Sequence, residues 1–112
     1  MRDRPEVVER ARQMFEHASM VAREAASVRE LVKDREQPRL VIHVRIAAGS
    51  SSLTRYLISQ GHAFRHGNNR GCSLKIDHRH GATPAARWVY ALALAQALRE
   101  FGARCFAEME LE

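Results

Sequence analysis

The stretch LVIHVRI at residues 40–46 decides the fold, because the hydrophobic pattern changes its period there. Ile42, Val44 and Ile46 alternate with the residues between them, as in a β-strand that has one buried and one wetter side. A polar stretch that ends in Pro38 separates this pattern from a helical one upstream. We therefore expect residues 40–46 to form the first strand of a sheet.

Upstream, Pro5–Lys33 contains no glycine and no internal proline and is rich in Ala, Glu and Arg, which predicts one long helix. Its apolar residues recur in alternating steps of four and three, as in a heptad seam. Every second seam position is an alanine, namely Ala11, Ala18 and Ala25. Small residues let a second helix approach closely, so we expect this seam to pack on another helix of the chain or on a second copy in a homodimer.

Downstream, helical and strand patterns alternate. The predicted elements are a helix at Leu53–Gln60, an edge strand at His62–His66, a turn at Gly67–Gly71, a strand at Cys72–Arg79, a helix at Pro84–Phe101 and a strand at Arg104–Leu111. A long helix followed by β-α-β-β-α-β predicts an α+β protein with a ferredoxin-like core and a four-stranded antiparallel sheet. We expect a single domain over 1–112, in which the helix of 1–36 packs on or dimerises a core of 39–112.

The composition limits the classes of protein to which the chain can belong. With 112 residues, 46% of them hydrophobic, the chain has the size and content of one compact globular domain. No stretch approaches the roughly 18 uninterrupted apolar residues of a membrane span, and the N-terminus lacks the apolar region of a secretory signal. Cys72 and Cys105 are too few for a disulfide framework, which predicts reduced thiols and a cytoplasmic location.

The positive charge of the chain is concentrated in its centre. The net charge is +5, and residues 37–82 hold seven basic residues and five of the six histidines against one acid, Asp77. The segments on either side are close to neutral. A concentrated field of one sign usually has a partner of the opposite sign, so we expect an acidic partner.

The densest group of polar residues is HAFRHGNNRGCSLKIDHRH at residues 62–80, which the pattern predicts to be an exposed hairpin. Cations on such a hairpin can follow a phosphate backbone or contact an acidic protein surface, and the alternative is an ordinary solvated turn. The candidate binding residues are Arg65, Arg70, Lys75, Arg79, His66, Asn68 and Asn69.

The uncovered face of the predicted sheet is a weaker candidate for binding nucleic acid than the hairpin. Phe106 is the one aromatic residue assigned to it, whereas sheets that bind RNA stack bases on two or three aromatic side chains. The pattern therefore predicts a poor stacking platform and a solvated face with cross-strand ion pairs, such as Arg45 with Glu108.

Two weaker sites are considered. Five residues are of zinc-ligand type, but their spacing does not favour a zinc site, so we expect no metal and no cofactor. They are His62, His66, Cys72, His78 and His80. Ser50, Ser51 and Ser52, with Arg55 one turn later, could hold an anion at a helix N-terminus, although a serine there more often only caps the helix.

For catalysis, the chain offers no paired carboxylates in an apolar context and no nucleophile elbow, so we do not expect an enzyme. The leading hypothesis is a small basic binding protein that engages nucleic acid, or a nucleic-acid-handling protein complex, through the hairpin. Accessory and inhibitor proteins of phages and mobile elements are often of this kind. The alternatives are an assembly subunit that oligomerises through its N-terminal helix and a metal- or anion-dependent enzyme.

Overall fold

The computed structural model describes residues 4–30, 40–47, 52–65 and 71–111. Its elements are α1 (Pro5–Glu30), β1 (Leu40–Ile46), α2 (Ser52–Ser59), β2 (Ala63–Arg65), β3 (Cys72–Ile76), a 3₁₀ turn (His78–His80), α3 (Pro84–Glu100) and β4 (Cys105–Leu111). Within these ranges, no helix has the length and apolar content that crossing a membrane requires.

The four strands form one sheet in the order β2-β3-β1-β4, and every neighbouring pair is antiparallel. At the centre, Val44 of β1 lies opposite Leu74 of β3 on one side and Ala107 of β4 on the other. The prediction of an α+β protein with a long N-terminal helix and a four-stranded antiparallel sheet is confirmed.

One face of the sheet forms the core. Ile42, Val44 and Ile46 are almost completely buried, as their alternation predicts, and they pack with Leu57 of α2 and Leu94 of α3. The residues between them on β1 therefore face the opposite side of the sheet, which we call the open face.

The long helix α1 packs on α3 of the same chain and, over a smaller area, on α2. Ala18, Ala22 and Ala26 are buried in one cluster with residues of α2 and α3, Ala11 is buried outside that cluster, and Ala25 is partly buried. From Ala18 onward the buried alanines recur in steps of four, which is the spacing of an i±4 ridge rather than of a heptad seam. The absence of large side chains along this ridge lets the two helices approach closely.

The bounds of α3 follow local signals. The Thr83 Oγ1 accepts a hydrogen bond from the Ala86 N–H at 3.1 Å, and Pro84 occupies the first helical position. After the helix, Gly102 takes a positive φ of 94°, where a side chain would be strained. The predicted start at Pro84 and the glycine stop are confirmed.

The predicted strand Cys72–Arg79 is wrong at its C-terminal end, because β3 ends at Ile76. Asp77 accepts a hydrogen bond from the Arg79 N–H on Oδ1 at 3.0 Å, and its own N–H donates to His80 Nδ1 at the same distance. These local hydrogen bonds pair the backbone N–H groups of Asp77 and Arg79 with side-chain acceptors, and they turn the chain away from the sheet. His78 and Arg79 are therefore not strand residues.

Candidate functional site

The open face of the sheet is organised in rows that cross the strands. In one row Phe64 lies opposite Ser73, Ser73 opposite Arg45, and Arg45 opposite Phe106. The next row contains Lys75, His43 and Glu108. Since facing residues of paired strands project to the same side, the side chains of both rows share the open face.

Two aromatic side chains stand at the ends of the first row. Phe64 is 52% exposed and Phe106 is 46% exposed, although each is large and apolar. Three strand spacings of about 4.8 Å separate the two residues, so their backbones are roughly 14 Å apart across the sheet. We name the row Phe64, Ser73, Arg45 and Phe106 the aromatic row.

Phe64 is the residue that sequence reasoning missed. The expectation that Phe106 alone would be aromatic on this face is wrong, because Phe64 of β2 is in register with Ser73 of β3. The signal was weak, because Ala63 is buried while both Phe64 and Arg65 are exposed, so the strand shows no complete alternation. Three residues are too short a pattern to assign a face before the register with β3 is known.

The centre of the open face contains a compact charged group. Glu108 Oε2 lies 3.1 Å from His43 Nε2 and 3.6 Å from Arg45 Nη1. The predicted cross-strand pair of Arg45 with Glu108 is therefore confirmed. His43 is only 8% exposed, and Arg45, a member of the aromatic row, reaches across to Glu108 in the neighbouring row.

The same part of the open face contains a group of side chains of metal-ligand type, formed by His43, Glu108 and Glu110. Their ligand atoms all lie within 4.8 Å of one another, and no other such group occurs among the described residues. None of the predicted zinc candidates belongs to it. Arg45 places a cation beside Glu108, which opposes a second cation at the same carboxylate.

The predicted zinc candidates have different surroundings. Cys72 is buried, and its Sγ lies 3.9 Å from Thr54 Oγ1. His62 packs on Phe15, His80 packs on Tyr90, and His78 is exposed. His66 lies outside the described residues.

The two thiols are not activated for chemistry. Burial raises the pKa of both Cys72 and Cys105 above the ordinary value of a thiol, so both stay protonated near neutral pH. A thiol that stays protonated is a weak nucleophile and a weak metal ligand.

Three of the predicted binding cations are described, and they differ in their pairing. Arg65 and Lys75 are exposed on β2 and β3, the two strands at one edge of the sheet. The Arg79 guanidinium donates two hydrogen bonds to the Asp77 carboxylate, at 3.1 and 2.9 Å, and these hold the pKa of Asp77 well below its usual range. Arg79 therefore contributes little net charge to a partner.

Several of the other predicted site residues lie outside the described residues. These are Arg70, Asn68 and Asn69 of the hairpin and Ser50 and Ser51 of the predicted anion loop. Ser52 is the first residue of α2, and Arg55 follows on the same helix. The structure therefore describes only two of the four residues predicted to bind an anion, and anion binding stays a prediction.

Comparison of the chain with protein-family models, with curated proteins and with solved structures finds no match. The geometry of the open face is therefore the basis for the functional proposal.

Proposed function

We propose that this protein is a non-enzymatic binding protein that holds single-stranded nucleic acid on the open face of its sheet. The observation that carries the proposal is the aromatic row, in which exposed Phe64 and Phe106 flank Arg45. Phenyl rings of this size are normally buried, and two of them on a polar sheet face provide flat apolar surfaces of the kind that unpaired bases stack on.

The charges around the row favour a particular placement of the strand. Arg65 and Lys75 are exposed on the β2–β3 side, whereas Glu108 and Glu110 occupy β4. Phosphates are attracted to the first side and repelled from the second. We therefore place the phosphate backbone along β2 and β3, with bases directed across the sheet toward Phe64 and Phe106.

Arg45 lies between Phe64 and Phe106 in the register of the sheet, and its guanidinium reaches Glu108 of the neighbouring row, 3.6 Å from Oε2. A guanidinium plane stacks on bases as an aromatic ring does, and it also pairs with phosphate. Glu108 pairs with this guanidinium in the free protein, so we propose that binding exchanges the ion pair for a contact with the strand.

The hairpin cations keep their predicted role in this proposal. Arg65 directly follows Phe64 on the edge strand β2, so its side chain projects to the opposite face of the sheet, and we propose that it contacts phosphate at this edge. Arg70, His66, Asn68 and Asn69 belong to the connection between β2 and β3, and we propose them as further phosphate or sugar contacts on the strength of the sequence.

We also propose that residues 40–111 form a ferredoxin-like domain. Two features support this: the order β-α-β-β-α-β after α1, and the sheet order in which β3 lies between β1 and β2 while β1 lies between β3 and β4. Each of the helices α2 and α3 thus connects two parallel strands that have a strand of the other unit between them. An experimental structure tests the assignment.

A second candidate function is assembly through α1. Met20, Val21 and Val28 are exposed on this helix although they are apolar, and Val28 is 68% exposed. A second copy of the chain would cover them. Sedimentation at several protein concentrations tests this candidate, because a dimer gives a mass that rises with concentration and a monomer does not.

The binding proposal is tested by fluorescence anisotropy with labelled twelve-nucleotide single strands of DNA and RNA and with the matching duplexes. We expect single strands to bind more tightly than duplexes, and Phe64→Ala and Phe106→Ala each to weaken binding about 5- to 150-fold, since stacking contributes about 1–3 kcal/mol per base. Phe101→Ala is the matched control, because Phe101 is also a phenylalanine, is 48% exposed and lies at the end of α3. Equal binding by all three variants would refute the proposal.

A further inference from the structure

A second concave region lies on the helical side of the molecule. It is an open groove of about 580 Å³ between α1, the end of the α2–β2 connection, the edge of β3, the 3₁₀ turn and α3. This volume lies within the range of small-molecule binding sites. The aromatic row is not part of its lining, although Lys75 lines the groove and also belongs to the neighbouring row of the open face.

Two pairs of rings border the groove. The Phe15 and His62 rings are tilted toward each other with centroids 4.8 Å apart, and the His80 and Tyr90 rings are arranged similarly at 4.9 Å. Such ring surfaces, together with the apolar Leu74, suit a flat aromatic group.

The charges at the groove favour an anion. Arg23 and Lys75 line it, and neither forms an ion pair with a carboxylate of the residues that the structure describes. The single acid of the lining, Glu16, is paired with Arg12, the Nη1 and Oε1 atoms being 2.7 Å apart. Among the described residues, no carboxylate neutralises Arg23 or Lys75, which favours an anionic ligand.

His80 adds a hydrogen-bond donor. Its Nδ1 accepts the Asp77 N–H at 3.0 Å, so this nitrogen carries no proton and the Nε2 of the neutral ring carries one. Burial lowers the pKa of His80, which keeps the ring neutral and this tautomer in place near pH 7.

We propose that the groove binds a nucleoside phosphate, with its base against the Phe15–His62 and His80–Tyr90 rings and its phosphate on Arg23 and Lys75. A small molecule with both a flat aromatic ring and a phosphate matches the two features that the groove combines. The base-contacting rings of the groove differ from those of the aromatic row, and Lys75 is a cation that the two proposed sites share.

The experiment is isothermal titration of the protein with AMP, adenosine and ribose 5-phosphate. AMP is expected to bind at least tenfold more tightly than either fragment, because each fragment makes only one of the two sets of contacts. Arg23→Gln is expected to weaken AMP about tenfold and to leave adenosine unchanged, and His62→Ala to weaken both AMP and adenosine. Arg23 and His62 are exposed, so both variants are expected to fold.

Two controls separate this site from the open face. Arg10→Gln changes an exposed arginine of the same helix that is not part of the lining, and it is expected to leave AMP binding unchanged. Phe64→Ala with Phe106→Ala is also expected to leave it unchanged. The proposal is overturned if AMP does not bind at millimolar concentration, or if Arg23→Gln and His62→Ala bind it as the parent protein does.

Discussion

His80 and Asp77 hold each other through a reciprocal pair of contacts, in which His80 Nδ1 accepts the Asp77 N–H at 3.0 Å while the Asp77 carboxylate caps the turn that contains His80. This arrangement ends β3 and places the His80 ring against Tyr90. It depends on an unprotonated Nδ1, so it is sensitive to pH.

The first prediction concerns the titration of His80. Burial lowers its pKa, and the nearby charges of Arg79 and Arg23 act in the same direction, while Asp77 opposes them. Above the unfolded pKa of about 6.5, such a histidine is neutral in both states and does not change the free energy of unfolding. As the pH falls from there toward the folded pKa, the unfolded state binds the proton first, so the free energy of unfolding decreases.

NMR titration of the imidazole protons checks this prediction. The His80 midpoint is expected below 6.5, and in Asp77→Asn it is expected to fall further, because the charge that favours the protonated ring is removed. A His80 midpoint above 6.5 in the parent protein would contradict the buried neutral ring.

The second prediction concerns the contact of α1 with α3. Ala18 is fully buried there, so Ala18→Leu is expected to overpack the contact and lower the free energy of unfolding by about 1–3 kcal/mol. Ala25→Leu is the control on the same helix, and it is expected to cost less because Ala25 is only partly buried. Urea denaturation measures both values, and an Ala18→Leu protein as stable as the parent would contradict the close helix pair.

Local signals made much of this fold predictable. Thr83, Pro84 and Gly102 specify the bounds of α3 through contacts within a few residues, and the alternation of residues 40–46 gives the buried face of β1. Such signals require no knowledge of the rest of the chain.

The site was less predictable because it depends on pairing between distant residues. Phe64 joins the open face only through the register of β2 with β3, and His43 meets Glu108 and Glu110 only through the pairing of β1 with β4. The groove likewise combines Arg23 of α1 with Lys75 of β3. None of these distances is encoded in local sequence spacing.

The third prediction concerns the carboxylate beside Arg45. Glu108→Gln removes a negative charge whose Oε2 lies 3.6 Å from Arg45 Nη1, so the guanidinium becomes more available to a phosphate or base. Ion pairs at partly exposed positions contribute up to about 1 kcal/mol, so single strands are expected to bind about two- to fivefold more tightly. Glu100→Gln, an exposed change at the end of α3, serves as the control for net charge. Weaker binding by Glu108→Gln than by Glu100→Gln would show that the ion pair positions Arg45 more than it competes with the strand.

The fourth prediction concerns the hairpin cations. Replacing Arg65 and Arg70 together by alanine is expected to lower the slope of log affinity against log salt concentration by about 1.4, at roughly 0.7 for each phosphate contact to a single strand. The control replaces Arg4 and Arg10, two exposed arginines at the start of α1, which keeps the net charge of the two variants equal. Equal slopes for the two double variants would assign the hairpin to solvent rather than to the strand.

The central claim is that bases stack on Phe64 and Phe106, and intermolecular nuclear Overhauser effects between protein and oligonucleotide test it most directly. With a labelled protein and an unlabelled single strand, we expect contacts from the ring protons of both phenylalanines to base protons, together with upfield shifts of those base protons caused by stacking. The Phe101 ring, at the end of α3, is expected to give neither. Saturating oligonucleotide that leaves the Phe64 and Phe106 ring signals unshifted and without contacts to bases would contradict the account.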